Sequence, residues 1–249
     1  MQLRFNNYTL YFISFIFFPF FLFSCNKENC WDCIKRAGKV TTEVRVVPPF
    51  TKLKIRDNVN VFITQGNSQE IKVEAGKNLI SLVSTKVSND ELLIQNNNKC
   101  NWSRSYKNNL NVYVTVTQLT HIYFDGSGQI KSTNTIVGNS LDVLTNTAGD
   151  VELTIDMHSV ISHLHSSADI TLHGKSDYHG IFHGGEGFLK CEDLQTFTTW
   201  TMVRGTGNEY LNVKNQLVAF LEWTGDIYYS GNPVVDSKIS GSGKLIHQN

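Results

Sequence analysis

Cysteine and histidine are the residues best equipped for chemistry in this chain, and their spacing narrows what they can do. Cys30-Trp-Asp-Cys33 is a Cys-x-x-Cys pair. Such a pair serves redox catalysis, half of a zinc site, or a local disulfide. The redox use needs a helix N-terminus after a strand, and Lys35-Arg-Ala-Gly-Lys39 supplies no such context. A zinc site needs a second pair, and only isolated Cys100 and Cys191 remain downstream. A structural disulfide drawn from Cys30, Cys33 and Cys100, its pairing open, is expected in an oxidising compartment. Six of the eight His lie between His158 and His183, with His163 and His165 alternating on one strand. Stacked imidazoles can bind a transition metal. Without a third ligand at a shared position, a solvated face is expected instead, and no metal or other cofactor.

Two acids and one tryptophan stand out next. Asp150 and Asp169 occupy the same position in adjacent repeats. Stacked carboxylates can hold Ca²⁺ or act as an acid/base pair on polysaccharide. An Asp at a chain corner also bonds its own turn backbone. No Arg or Lys is placed beside the pair, and Phe188 follows in the series, so the corner role is expected. Trp223 is the one large residue in a series of Gly126, Thr147, Ser166, Gly185, Gly205 and Gly241, and Tyr228 and Tyr229 follow it. Exposed aromatic rings suit sugars or protein partners, whereas a Trp could also cover an open end of the fold. Trp223, Tyr228 and Tyr229 are the candidate ligand-binding residues. No nucleophile elbow, phosphate loop or His-Glu-x-x-His helix is present, so no catalytic residue is named.

What positions these residues is a repeat. From Phe124 to Ile246 one phrase recurs around Gly128, Gly149, Ala168, Gly187, Gly207, Gly225 and Gly243, at intervals of 18 to 21 residues. Four residues before the anchors stand Phe124, Thr145, Leu164, His183, Val203, Leu221 and Ile239, mostly apolar. Three before stand Asp125, Asn146, His165, Gly184, Arg204, Glu222 and Ser240, with no large apolar residue. Two after stand Ile130, Val151, Ile170, Leu189, Glu209, Ile227 and Leu245. Neighbours face opposite ways, the strand period of 2, and equivalent positions agree in polarity from repeat to repeat. This predicts an all-β, parallel β-helix or solenoid with coils of about 20 residues. A one-residue insertion, placing Tyr210 in the column in place of Glu209, is expected. Each anchor marks a corner that needs φ > 0 or no Cβ.

Upstream, Val59–Gln65, Ile71–Ala75, Glu91–Gln95 and Leu110–Thr117 alternate as less regular strands, with Asn89-Asp90 as a hairpin turn. Residues 96–109 read as a polar, exposed loop. Residues 1–24 read as a leader: Arg4, then a charge-free apolar run from Tyr8 to Phe23, too short for a comfortable membrane span. Leu22-Phe23-Ser24-Cys25 looks like a bacterial lipoprotein cleavage box, which makes Cys25 the lipidation site and residues 25–40 a lipid-anchored tether. Lys plus Arg equals Asp plus Glu at 22 each, and removing the leader with Arg4 leaves −1. That balance gives no reason to expect nucleic acid as a partner.

Asp125-Gly-Ser-Gly-Gln-Ile130, the Gly-Asp repeats, Tyr229-Ser-Gly-Asn-Pro233 and Ser240-Gly-Ser-Gly-Lys-Leu245 resemble a bacterial family, the "putative auto-transporter adhesins" with a head GIN domain. Phe50–Ile55, Val59–Gly66 and Val73–Leu79 resemble it too, so the likeness spans about residues 41–247. It implies a right-handed β-helix-like fold on an exported protein, and no catalytic residue. The expected protein is an outer-membrane lipoprotein, periplasmic or surface-exposed. Residues 41–249 would form one β-helical domain, less regular over 41–123 and regular over 124–247. It would act as a non-catalytic binding or adhesion module with a glycan or envelope protein as ligand. A β-helix lyase or hydrolase acting on polysaccharide is the alternative, and a structural or sensory partner of envelope proteins the third reading.

Overall fold

Parallel strands account for most of the chain, stacked so that each coil lies on the last. The computed structural model describes residues 36–98 and 110–248. The leader, Cys25, Cys30, Cys33 and Cys100 lie outside the described residues. The regular coils comprise β8 (His121–Gly126), β9 (Gln129–Ser132), β10 (Ile136–Thr145), β11 (Asp150–Leu164), β12 (Ile170–His183), β13 (Leu189–Val203), β14 (Glu209–Leu221), β15 (Ile227–Ser230), β16 (Val234–Ile239) and β17 (Leu245–His247). Val151 pairs with Ile170 and Ile170 with Leu189, in parallel, so each coil repeats after about 19 residues. Among the described residues the only helical element is a 3₁₀ turn at Ile80–Leu82.

The expected columns form. Phe124, Thr145, Leu164, His183, Val203, Leu221 and Ile239 register one on the next through successive parallel pairs. All but Ile239 are buried. Their neighbours Asn146, His165, Gly184, Arg204, Glu222 and Ser240 are exposed. The alternation exists because a strand sends successive side chains to opposite faces, and only one face of a coil looks into the core. Stacking then buries apolar side chains from both walls in a shared interior, including Val151, Leu153, Ile155, Leu172 and Leu189.

The anchor glycines are small for a steric reason. None of the seven anchors has a positive φ. A Cβ at Gly207 would overlap the carbonyl oxygen of Gly187 in the coil before it. The corners pack that tightly because the Gly207 N–H reaches the Gly185 carbonyl, and the Gly187 N–H reaches the Ser166 carbonyl, across the coil gap. Positive φ appears at the opposite bend instead, at Gly174 (φ 104°) and Gly231 (φ 91°).

The first part of the chain enters this stack out of order. β2 (Lys52–Asp57) and β3 (Asn60–Gln65) form a coil on which β8 and β9 lie directly. The paired residues Lys52 and His121 are 69 positions apart. On the other side of β2 and β3 lie β6 (Glu91–Asn96) and β7 (Asn111–Val116), also parallel. Beyond them the sheet turns antiparallel. β5 (Val83–Ser88) pairs with β6, β4 (Glu70–Gly76) with β7, and β1 (Val40–Arg45) with β4. The hairpin between β5 and β6 turns at Asn89 (φ 52°) and Asp90 (φ 64°), the two left-handed residues a tight hairpin requires. The antiparallel strands bury Ile71, Val73, Ala75 and Val83 in the core. They finish the stack at this end.

Candidate ligand-binding surface

Trp223, Tyr228 and Tyr229 occupy three different environments. Trp223 sits on the Gly corner and is 57% exposed. Tyr228 registers with Tyr210, and the two rings stack at 5.1 Å and 10° on the outer wall. Its hydroxyl donates to Asp226 at 3.4 Å, and slight desolvation with that carboxylate holds the phenol above its ordinary pKa. Tyr229, one residue on, faces the other way, registers with buried Leu211 and packs against the core. The strand period that places Tyr228 outside necessarily sends Tyr229 inward.

Around Tyr210 the outer wall holds a shallow depression of about 310 Å³, lined by Asp169, Phe188, Lys190, Glu192 and Tyr210. Phe188 is 39% exposed. Lys190 Nζ donates to Asp169 Oδ2 at 2.7 Å, and that bond raises the ammonium pKa. This corrects two expectations about the stacked acids. A lysine does stand beside Asp169, two positions along the next strand. The carboxylates also cap the following coil and not their own turn: Asp150 Oδ1 accepts the Asp169 N–H at 3.0 Å, and Asp169 Oδ1 accepts the Phe188 N–H at 2.8 Å. Asn208 and Asp226 repeat the pattern on the N–H groups of Asp226 and Lys244. The corner amides would otherwise lack partners, so these side chains are part of the backbone hydrogen-bond network.

A second depression, a groove of about 460 Å³, follows the opposite bend across several coils and includes Val137, Asp156, His158, Lys175, Asp177 and Lys214. Two pairs form within it, Lys175 Nζ to Asp156 at 3.2 Å and His158 Nδ1 to Asp177 at 2.8 Å. On the adjoining wall His163, Phe182, Trp200 and Phe220 form an aromatic ladder, with centroid steps of 5.0, 5.1 and 5.9 Å. His163 and Phe182 lie nearly parallel, 4° apart, so each covers a face of the other. Burial lowers the His163 pKa, although Asp142 opposes that shift. The His163 and His165 ring centroids lie 6.1 Å apart, tilted by 35°. Among the described residues no group of three or more His, Cys, Asp or Glu could hold a metal ion.

The interior holds what sequence reasoning missed. Glu209 does occupy the apolar column, registered between Leu189 and Ile227, with no insertion and no exposure. It is retained because it has partners. His183 Nδ1 lies 3.3 Å from Glu209 Oε1, and Thr201 Oγ1 lies 2.9 and 2.8 Å from the two carboxylate oxygens. His183 Nε2 donates to the Gly187 carbonyl at 2.9 Å, so the Nδ1–Oε1 contact needs a proton of its own. His183 and Glu209 were two polar exceptions in two inward columns of neighbouring coils, and read together they announce a buried pair. Cys191 is buried beside this cluster. Burial, then the Glu209 charge, pushes its thiol well up, leaving it an inert core residue.

His179 is the other buried imidazole. Its Nε2 meets Ser162 Oγ at 2.9 Å, and its Nδ1 has no hydrogen-bond partner. Burial pushes its pKa from an ordinary 6.5 down to about 3. The unfolded chain takes up this proton near pH 6.5, and the folded one not until about pH 3. The contribution is therefore complete above the unfolded value and is lost as pH falls towards 3, by up to several kcal/mol. The column at this position runs Val160, His179, Thr199, Leu217. His179→Leu should flatten the decline in unfolding free energy between pH 7 and pH 4 by about 1 kcal/mol or more. An unchanged pH profile would remove His179 as the cause.

Known proteins share this stacked parallel coil. The family described as "Putative auto-transporter adhesin, head GIN domain" matches residues 49–233, and this chain belongs to it. Among solved structures, a "putative adhesin" from Bacteroides fragilis superposes with a TM-score of 0.78 at 19% identity, covering 84% of this chain and 97% of that one. A "putative adhesin" from Parabacteroides distasonis gives 0.63 at 15%, covering 85% and 98%. A protein of the same organism described as a "putative lipid binding protein" gives 0.63 at 17%, covering 85% and 98%. At these identities the likeness establishes the fold alone. No curated protein matches the chain.

Proposed function

We propose that this protein is a non-catalytic binding module of the cell envelope, anchored by lipid on Cys25 in the outer membrane, with a glycan as its ligand. The depression around Phe188 and Tyr210 carries this reading. It brings an exposed phenyl ring, a phenol edge, an ammonium and two carboxylates within reach of one another. A sugar offers apolar ring faces beside hydroxyl edges, and this mixture meets both. The stacked acids support binding over cleavage, because Asp150 and Asp169 are already committed to backbone amides. A lipid ligand fits less well, since the interior is filled by the protein's own side chains. A glycan panel and a turnover screen on the intact protein test the reading together. Phe188→Ala or Tyr210→Ala should cost about 2 kcal/mol of affinity, roughly thirtyfold. Trp223→Ala should leave the melting temperature within about 2 °C, since its ring is already exposed. Equal binding by wild type and the Phe188 and Tyr210 variants would move the ligand elsewhere. The acids of the groove at the opposite bend, Asp156 beside Lys175 and Asp177 beside His158, are what favours the polysaccharide-cleaving alternative, and turnover abolished by Asp156→Asn or Asp177→Asn would establish it.

Anchoring is tested separately. Cys25→Ser should abolish incorporation of labelled fatty acid and release the protein from the detergent phase. Identical partitioning of wild type and variant would sink the lipoprotein reading.

A further inference from the structure

One outer wall of the stack, not the one that holds Phe188 and Tyr210, is apolar across its middle. Along it the outward residues Leu144, His163, Phe182, Met202 and Phe220 register coil on coil, with Tyr123 before them and Lys238 after. The neighbouring outward column runs Asp142, Ile161, Gly180, Trp200 and Val218, with His121 before and Asp236 after. Phe182 is 39% exposed, and Ile161, Trp200, Met202, Val218 and Phe220 are half-buried. An aromatic and aliphatic centre with charges at its border is the anatomy of a protein interface. Two other occupants fit less well. His163 and Phe182 lie 4° from parallel and cover each other's faces, so they offer a sugar only edges. Asp142 and Asp236 stand at either end of the patch, whereas an anionic bilayer surface attracts basic residues.

We propose that two copies of this chain pair face to face through this wall, about a two-fold axis that runs along the strands through Phe182. Such an axis keeps each column opposite itself and reverses the order of the coils. Phe182 then meets Phe182 of the second copy, His163 meets Met202, and Leu144 meets Phe220. Tyr123 meets Lys238, an ammonium against an aromatic ring. In the other column Ile161 meets Trp200, and His121 meets Asp236. Asp142 falls opposite Val218 and keeps His163 Nε2 of its own chain at 3.6 Å. The charges select this arrangement. Sliding the second copy by one coil sets Asp142 against Asp236, and turning the axis along the stack sets Lys52 against Lys54. The contact runs over the seven coils from His121 to Asp236 and about 20 Å along the strands, roughly 700 Å² on each copy. The total of about 1,400 Å² is what a stable complex buries. The contact is isologous, so it closes at two copies.

Sedimentation of the full-length chain in detergent should show a two-chain species. Phe182→Glu places two carboxylates at the axis and should return the protein to monomer. His121→Asp sets an acid against Asp236 at both ends of the contact and should weaken association at least about tenfold. Adding Asp236→Lys restores opposite charges and should recover association to within a few-fold. Within one chain these two positions are six coils apart, about 29 Å. Salt screens exposed charges over about 10 Å, so only a second copy can couple them. Both side chains are exposed, so the charge variants should fold. A wild-type chain that stays monomeric at every concentration overturns the proposal. So does failure of Asp236→Lys to rescue His121→Asp, or association undiminished by Phe182→Glu. A monomeric Cys25→Ser chain that sediments with phosphatidylcholine vesicles, and ceases to on Phe182→Glu, would give the wall to lipid instead.

Discussion

Leu164→Asp should leave this protein unfolded at room temperature. Leu164 is fully buried, registered between Thr145 and His183, with apolar neighbours from both walls. The substitution removes a core side chain, worth about 2–5 kcal/mol by itself. It also places a carboxylate where no cation waits, at a further cost of several kcal/mol. Together these equal or exceed the whole stability of an ordinary domain, about 5–15 kcal/mol. His165→Asp, one residue on and exposed, should change the unfolding free energy by no more than about 0.5 kcal/mol. Ser240→Asp should be equally quiet. A circular dichroism melt of the three variants decides the matter, and similar losses at Leu164 and His165 would refute the inward and outward assignment.

The second large effect concerns Glu209. Glu209→Ala should destabilise by about 3–5 kcal/mol, because it strands the His183 Nδ1 side and the Thr201 hydroxyl in a dry interior. Glu209→Gln keeps the shape and can still bond to Nδ1, so it should lose less. Replacing the pair, His183→Leu with Glu209→Met, should recover most of the loss, since apolar substitutes for a buried pair are often neutral or better. A double-mutant cycle read by denaturant titration measures the coupling. Additive losses, with no recovery in the double variant, would show that the two side chains do not work as a unit.

These two sites also mark how far the sequence could be read. Leu164 and its column were legible because parallel coils stack like on like, and seven repeats give seven samples of each position. The Asn89-Asp90 hairpin was legible because its turn chemistry is local. Glu209 was legible only as a violation, and an insertion was the wrong repair. A polar residue in an apolar column can be kept by a partner on the facing wall, and the partner here comes from another column. The coil of β2 and β3 was harder still. Its partners His121–Ser132 lie 69 positions away, with antiparallel strands between, so no period connects them. Of the candidate binding residues, Tyr228 stacks on Tyr210, which lines the depression on the outer wall. Phe188, Lys190 and Glu192 were missed because a surface depression is assembled across coils, one or two residues from each. Trp223 was visible because one bulky residue among glycines needs no neighbours to be noticed.

The constant register between coils has a mechanical consequence. Val151 pairs with Ile170 and the corner acids Asp150 and Asp169 stand at the same place, so excising residues 150–168 would join Gly149 to Asp169 with every column intact. Each such excision or insertion changes the height of the stack by one strand spacing, about 4.8 Å. The stack of coils is in effect graduated, and its length changes in discrete steps while the design of the interior stays the same.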